Sequence, residues 1–156
     1  MMTYPIRIAF LALTTAFALA NATYSEDKKE LKMPALDAKE WKDFKVEGVE
    51  GMKTWDAVEG KGEAAKADAT VTIHYTGWTT DGKVFDSSVE KGGPPATFPL
   101  GRLIKGWQLG VPGMKPGGKR RMILPHELAY GERGSPPKIP AKATLVFEIE
   151  LISVEK

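Results

Sequence analysis

The sequence contains no cysteine and only two histidines, His74 and His126, among its 156 residues. The absence of thiols excludes disulfides, thiolate nucleophiles, cysteine-ligated metal sites and a lipid attached to cysteine. The sequence also lacks the motifs of zinc proteases, P-loop nucleotide binding and the serine-hydrolase nucleophile elbow. We therefore expect no cofactor and no metal site.

The chain also has little excess of either charge. It has 22 Lys and Arg against 20 Asp and Glu, for a net charge of +2. A nearly balanced chain has no large basic field to hold phosphates, so we expect no nucleic acid as a partner. The one basic triplet, residues 119–121, is interpreted as a solvated strand end.

Long hydrophobic runs are scarce, since the only one extends from Ile8 to Ala20 and follows the single charge of Arg7. It is shorter than the roughly 20 apolar residues that a membrane span requires. A basic residue, an apolar run and small residues around Ala20 together predict a cleavable signal peptide over residues 1–20. We expect an exported protein, periplasmic or secreted, that spans no membrane after cleavage. A secretory-pathway lumen is the alternative location.

Residues 21–48 are rich in Lys, Asp and Glu, which is typical of a charged linker. Within this segment, Asp37 with Glu40 three residues later predicts the start of a short helix. That helix would carry Trp41 and Phe44. The remaining residues, 49–156, are of a length suited to one compact domain.

The domain shows the two-residue alternation of strands, most clearly from Thr70 to Tyr75. Asp81-Gly82 predicts a tight hairpin that returns the chain through Val84 and Phe85. Residues 103–111 have apolar side chains at helical spacing and predict one short helix. Further strands are predicted over residues 52–57, 97–100, 119–124 and 144–153. This order of elements favours an α+β domain, with an antiparallel sheet around a single short helix.

Aromatic and aliphatic residues at the ends of these elements are the remaining candidates for a function. Composition alone favours core positions for each of them, because aromatic rings bury large areas. Their arrangement in five separate segments is more specific: VTIHYTGW from Val71, DGKVFDSS from Asp81, FPLGRLIKGWQLGVPGMKPGGKRRMILP from Phe98, AYGERG from Ala129, and IPAKATLVFEIELISV from Ile139. In this order and spacing they closely resemble the FKBP family of peptidyl-prolyl cis/trans isomerases.

The resemblance covers about residues 52–154 and implies a half-barrel of five or six antiparallel strands around one short helix, with an apolar hollow between them. It implies a catalytic group of five residues: Tyr75, Phe85, Asp86, Ile104 and Tyr130. It implies substrate contacts from four more: Leu103, Trp107, Ile139 and Phe147. Three rim positions depart from the family's pattern: Ala96 stands where many members have a second wall aromatic, Ser135 where His is common, and Lys138 where an aliphatic residue is common.

The activity that the resemblance implies is isomerisation of X-Pro bonds in proline-containing polypeptide clients, with inhibition by a macrolide. The donors would be the Tyr130 hydroxyl and the backbone N–H of Ile104. Asp86 would orient Tyr75 or interact with the twisted carbonyl carbon of the substrate. The alternative is that Asp86 is a strand-end carboxylate that only accepts hydrogen bonds from local donors. The alternative function is a non-catalytic FKBP-like domain that holds proline-containing or apolar segments as a chaperone.

Overall fold

A computed structural model describes residues 31–90 and 92–155. The predicted signal peptide over residues 1–20 lies outside the described residues. The chain from Leu31 onward forms one compact unit. Its strands, numbered in chain order, are β1 Lys42–Asp43, β2 Lys53–Val58, β3 Thr70–Thr79, β4 Val84–Ser87, β5 Ala96–Pro99, β6 Lys119–Leu124 and β7 Leu145–Glu155; the α-helix among the described residues is α1 Lys105–Gly110.

The strands form one antiparallel sheet in the order β1-β2-β6-β7-β3-β4, and β5 also pairs with β3. β3 is central because β7 pairs along its whole length, from Thr70 opposite Glu155 to Thr79 opposite Leu145. On the other edge, β5 pairs with the first half of β3 and β4 pairs with the second half. The α+β fold predicted from the sequence is confirmed. The sheet has seven strands among the described residues, against the five or six expected.

The hairpin between β3 and β4 has the predicted Asp-Gly turn. Thr79 N–H donates to the Lys83 carbonyl at 3.0 Å, and the Thr79 hydroxyl donates to Asp81. Gly82 has a φ of +85°, a conformation that side chains with a Cβ rarely adopt. The turn chemistry therefore fixes the register in which β4 returns along β3.

The helix α1 packs on one face of the sheet, and two glycines allow the close contact. A Cβ at Gly106 would lie 2.4 Å from the side chain of Leu124, and one at Gly110 would lie 2.4 Å from Met122 Sδ. Arg120 on β6 then holds the end of the helix, since its guanidinium donates to the Gly110 carbonyl at 2.7 Å. The main core lies between α1 and this face of the sheet.

The opposite face of the sheet carries a second, smaller cluster. It is built on three buried residues from three neighbouring strands, Trp78, Ile123 and Val146. Leu31, Met33 and Trp41 of the N-terminal segment pack against this cluster, together with Val84. The strands are therefore apolar on both faces where this segment covers them.

The short helix predicted to begin at Asp37 is wrong. Residues 37–48 contain turns and the strand β1, which pairs Lys42 with Thr54 of β2, and no helix. Trp41 packs on the sheet, and its Nε1 donates to the Ala35 carbonyl of the same N-terminal segment at 2.8 Å. Pairing with β2 and local turns satisfy several of the backbone groups that a helix would have satisfied internally, among them the Phe44 N–H, which donates to the Met52 carbonyl at 2.9 Å. Within the described residues, no helix is long and apolar enough to cross a membrane.

Candidate active site

Four aromatic rings meet edge to face between α1 and the sheet. Trp107 of α1 is central, with its ring centroid 5.4 Å from that of Tyr75 on β3 and 5.3 Å from that of Phe147 on β7. Phe85 of β4 completes the set, 5.6 Å from Phe147. Edge-to-face contacts at these distances are favourable beyond the area that they bury. The structure thus brings together four of the predicted site residues from four different elements.

Gly77 makes room for two of these rings. It lies on β3, and a Cβ in its place would be 2.5 Å from Phe85 Cζ and 2.9 Å from Phe147 Cε1. The two rings therefore rest directly on the backbone of β3. Sequence reasoning did not single out Gly77, because a strand glycine shows close approach only when the neighbouring rings are placed.

Trp107 lies at the centre of this aromatic cluster. Only 5% of its surface is exposed, and its Nε1 has no hydrogen-bond partner among the described residues. The indole N–H is buried, so ring contacts and not hydrogen bonds hold this side chain among its neighbours.

Polar groups lie beside the rings. The Tyr75 hydroxyl donates to Asp86 Oδ2 at 2.7 Å. Burial raises the pKa of Tyr75 above its ordinary value of 10.0, and the hydrogen bond and negative charge of Asp86 raise it further. Burial and the same carboxylate also raise the pKa of Tyr130. Tyr75, Asp86 and Tyr130 therefore form one electrostatic group, in which both phenols remain protonated at neutral pH.

Leu103 and Ile104 lead into the helix and are partly buried against the main core. Ile104 is the residue before the first turn of α1, and its carbonyl accepts from Trp107 N–H at 2.9 Å. Its own N–H donates to no other described residue. The backbone donors at the start of a helix lack partners within the helix, so this N–H is free for another acceptor.

A loop from residue 126 to residue 142 supplies the remaining predicted positions. Tyr130 is 41% exposed, whereas Ile139 is buried in the main core. Ile139 and Ser135 exchange backbone hydrogen bonds at 2.9 and 3.0 Å. Lys138 reaches from this loop to β4, where its Nζ donates to the Phe85 carbonyl at 3.0 Å. The loop is therefore tied to the strand that carries Phe85 and Asp86.

One aromatic neighbour was missed at the sequence level. Phe98 of β5 lies with its ring centroid 6.3 Å from that of Tyr75. It stands two residues after Ala96, on the same face of the strand, where the sequence had suggested that a wall aromatic was lacking. The alternation along β5 could have placed Phe98 on this face, but its contact with Tyr75 depends on how β4 and β5 share the edge of β3.

In the described part of the chain, no group of three or more His, Asp or Glu side chains could hold a metal ion. The site is instead a cluster of aromatic rings with two phenols, a carboxylate and a backbone N–H that donates to no described residue. Apolar surface beside a few hydrogen-bonding groups is typical of small-molecule sites.

The fold is thus a single short helix packed on an open antiparallel sheet, with a cluster of aromatic rings between them. The sequence profile of the FKBP-type peptidyl-prolyl cis-trans isomerases matches residues 61–152. The chain belongs to this family of enzymes. The resemblance in the sequence is thereby confirmed.

Two curated relatives show the extent of the similarity. The FK506-binding protein of Neisseria meningitidis serogroup A is 47% identical over 100 residues, which cover 64% of this chain and 92% of that protein. FK506-binding protein 4 of Rhizopus delemar is 48% identical over 107 residues, which cover 67% of this chain. The matched part is 28% of the length of the Rhizopus protein, so this relative is much longer.

Among solved structures, a peptidyl-prolyl cis-trans isomerase of Pseudomonas syringae superposes with a TM-score of 0.67 at 32% sequence identity. The match covers 77% of this chain and 84% of that chain. The architecture derived above is therefore that of an FKBP-type isomerase.

Proposed function

We propose that this protein isomerises X-Pro bonds in exported polypeptides by binding the prolyl segment, without covalent chemistry, in an aromatic hollow between α1 and the sheet. The proline ring would lie on Trp107 between Tyr75, Phe85 and Phe147. The observation that carries the proposal is the edge-to-face meeting of these four rings from four elements.

The proposed mechanism follows from the electronic structure of the amide. Rotation is slow because resonance sets a barrier of roughly 18 to 20 kcal/mol. In the twisted transition state this resonance is lost and the amide is less dipolar. Transfer from water into an apolar hollow therefore disfavours the planar ground state more than the transition state, which lowers the barrier.

Hydrogen bonds would hold the peptide while the bond rotates. The free N–H of Ile104 and the protonated hydroxyl of Tyr130 are suited to donate to substrate carbonyls. In this proposal Asp86 holds the Tyr75 ring through the 2.7 Å hydrogen bond. Leu103 and Ile139 would enclose the peptide on either side of the hollow. Each 1.4 kcal/mol of preferential transition-state binding is worth about tenfold in rate.

The decisive experiment measures turnover of a chromogenic prolyl tetrapeptide by the wild-type protein and by Asp86→Val. We expect clear acceleration by the wild type and a loss of roughly tenfold or more in kcat/KM in the variant, because Tyr75 loses its acceptor. Asp68→Val is the matched control, since Asp68 is an exposed carboxylate on the β2–β3 connection. If micromolar wild-type protein does not accelerate isomerisation of the tetrapeptide, the proposed enzymatic activity is refuted.

The second candidate function is that of a non-catalytic domain that holds proline-containing segments. The hydrogen bond from Lys138 to the Phe85 carbonyl on β4, beside the hollow, favours this candidate. An aggregation-suppression assay separates the two candidates. Phe85→Ala and Asp86→Val are expected to lose turnover, and retention of holding by both variants would show that the two activities are distinct. Circular dichroism must first show that Phe85→Ala is folded, because removing a buried ring costs about 3 to 5 kcal/mol.

Export and drug binding are part of the proposal. The apolar run before Ala20 supports export to the periplasm or the exterior, and N-terminal sequencing of the mature protein tests it. The relatives named above are FK506-binding proteins, which supports inhibition by a macrolide of that kind. Inhibition of the peptide assay by FK506 would locate activity and site together.

A further inference from the structure

The positively charged ammonium group of Lys138 lies beside the proposed aromatic hollow. Its Nζ donates to the Phe85 carbonyl at 3.0 Å, while the residue as a whole is exposed. Phe85 contributes a ring to the hollow, and the next residue, Asp86, binds the Tyr75 hydroxyl. The ammonium of Lys138 is thus fixed at the point where β4 borders the proposed substrate site.

The loop that carries Lys138 is itself held in place. The backbone bonds between Ser135 and Ile139 close a tight turn around it. Gly134 has a φ of +65°, and a Cβ there would lie 2.2 Å from the Pro140 carbonyl oxygen. Since Ile139 is buried in the main core, the turn is anchored immediately after Lys138. The ammonium is therefore presented by an ordered part of the structure.

No ion pair among the described residues neutralises the charge of Lys138. Its ammonium has three donor hydrogens, and the Phe85 carbonyl takes one of them. Among residues 31–90 and 92–155, no carboxylate forms an ion pair with it. By contrast, Lys142 on the same loop pairs with Glu132 at 3.3 Å. Two hydrogens of Lys138 are thus free for an external acceptor.

We propose that Lys138 determines substrate preference, by favouring acidic side chains and disfavouring basic ones in the residues that flank the proline. This inference rests on the proposed isomerase function. The proline ring fills the apolar hollow, so its neighbours in an extended peptide lie at the rim. A carboxylate there meets the free donors of Lys138, whereas a second ammonium meets a like charge.

The test compares six peptides that differ only in one residue, Glu, Leu or Lys, placed either before or after the proline. NMR exchange spectroscopy measures kcat/KM for each without a coupling protease. For at least one of the two positions, the ratio of kcat/KM for the Glu peptide to that for the Lys peptide should fall roughly three- to tenfold in Lys138→Met. Lys138→Arg should retain the wild-type ratio, because it keeps the charge.

The salt dependence of this kcat/KM ratio is a second measurement, and a purely structural role of Lys138 would not produce it. At 1 M salt the Debye length is roughly 3 Å, so the wild-type ratio should approach that of Lys138→Met. Lys66→Met is the control for net charge. Lys66 lies near the C-terminal end of α1, whereas Ile104 lies at its start. The residue before Lys66, Ala65, hydrogen-bonds to Gly113 and Met114, which follow that end of the helix. This control should leave the ratio unchanged.

Three outcomes would overturn the inference, and they are distinguishable. If all six peptides lose activity in parallel in Lys138→Met, the residue only anchors the loop. If the ratios are unchanged in that variant while the wild type turns over every peptide, the charge has no role in preference and the isomerase function stands. If the wild type accelerates no peptide, the proposed function fails and this inference fails with it.

Discussion

Tyr75 shows how single residues tune the hollow. Its ring is part of the aromatic set, while its hydroxyl must find an acceptor in a partly buried place, and Asp86 provides one. Since burial and the carboxylate both favour the protonated phenol, the proton stays on Tyr75 at neutral pH. Below pH 10 the folded and unfolded chains both carry this proton, so Tyr75 gives no pH dependence there. Above pH 10 the unfolded chain releases the proton first, and the stability contributed by Tyr75 is lost as the pH rises.

We predict that Asp86→Asn lowers the pKa of Tyr75 but leaves it above 10, because burial is the largest cause of the shift. Ultraviolet titration of the phenolate, taken as the difference between each protein and its Tyr75→Phe counterpart, measures this pKa. If the pKa of Tyr75 is the same in Asp86→Asn as in the wild type, the carboxylate does not act on the phenol.

The types of residue in the site could be predicted from the sequence, but the contacts that assemble them could not. Tyr75, Phe85, Trp107 and Phe147 were found by their positions in family-like segments. Gly77 escaped notice because its role depends on two rings that arrive from β4 and β7. Contacts of this kind depend on side-chain packing between segments far apart in sequence, which local patterns do not encode.

At the scale of elements, α1 depends on its surroundings. It has six residues, two of which are glycine, and so short a helix is marginal by itself. Packing on Leu124 and Met122 and the hydrogen bond from Arg120 to Gly110 hold it in place. Because the helix carries Trp107 and begins after Ile104, its distance from the sheet would set the depth of the proposed hollow.

We predict that Gly106→Ala destabilises the protein by roughly 1 to 3 kcal/mol, because the added methyl group overlaps Leu124. Alanine favours a helix by up to about 1 kcal/mol over glycine, which offsets only part of this cost. Urea denaturation measures the change, and kcat/KM should fall as Trp107 is displaced. Gly101→Ala is the matched control: a Cβ there has no neighbour within 4 Å. Equal stability of the two variants would mean that α1 is free to move away from the sheet.

The strands were predicted well because their two-residue alternation reflects burial on one face. β1 was not predicted, because two residues are too few to show a period and because its pairing with β2 depends on tertiary structure. Asp37 and Glu40 match the pattern of a helix start, but the rest of the segment gains more by placing Trp41 on the sheet. Local propensity was outweighed by tertiary packing there.

At the scale of the whole molecule, the sheet is covered on both faces. The main core, which includes the aromatic cluster, lies on the side of α1, while Leu31, Met33 and Trp41 cover the other side. Trp41 meets Trp55 edge to face at 5.7 Å, and the Arg121 guanidinium lies 4.3 Å from the Trp55 ring. The residues from Leu31 onward thus belong to the folded unit and not to a free linker.

We predict that Trp41→Ala lowers the free energy of unfolding by about 2 to 3 kcal/mol, less than for a fully buried tryptophan. The kcat/KM of the folded protein should not change, because Trp41 packs on the face opposite the hollow. Thermal denaturation and the peptide assay measure the two effects. Leu36→Ala is the control, as Leu36 is 41% exposed in the same segment. A fall in kcat/KM without loss of stability would contradict this separation of the two faces.

The pairing of β3 with β7 has a consequence for the rate of folding. Thr70 lies opposite Glu155, so one whole edge of the central strand pairs with residues far away in the sequence. Phe147 of the aromatic cluster lies on that same strand of eleven residues. Contacts between such distant parts of a chain form slowly, so we expect this edge and this ring to take their places late in folding.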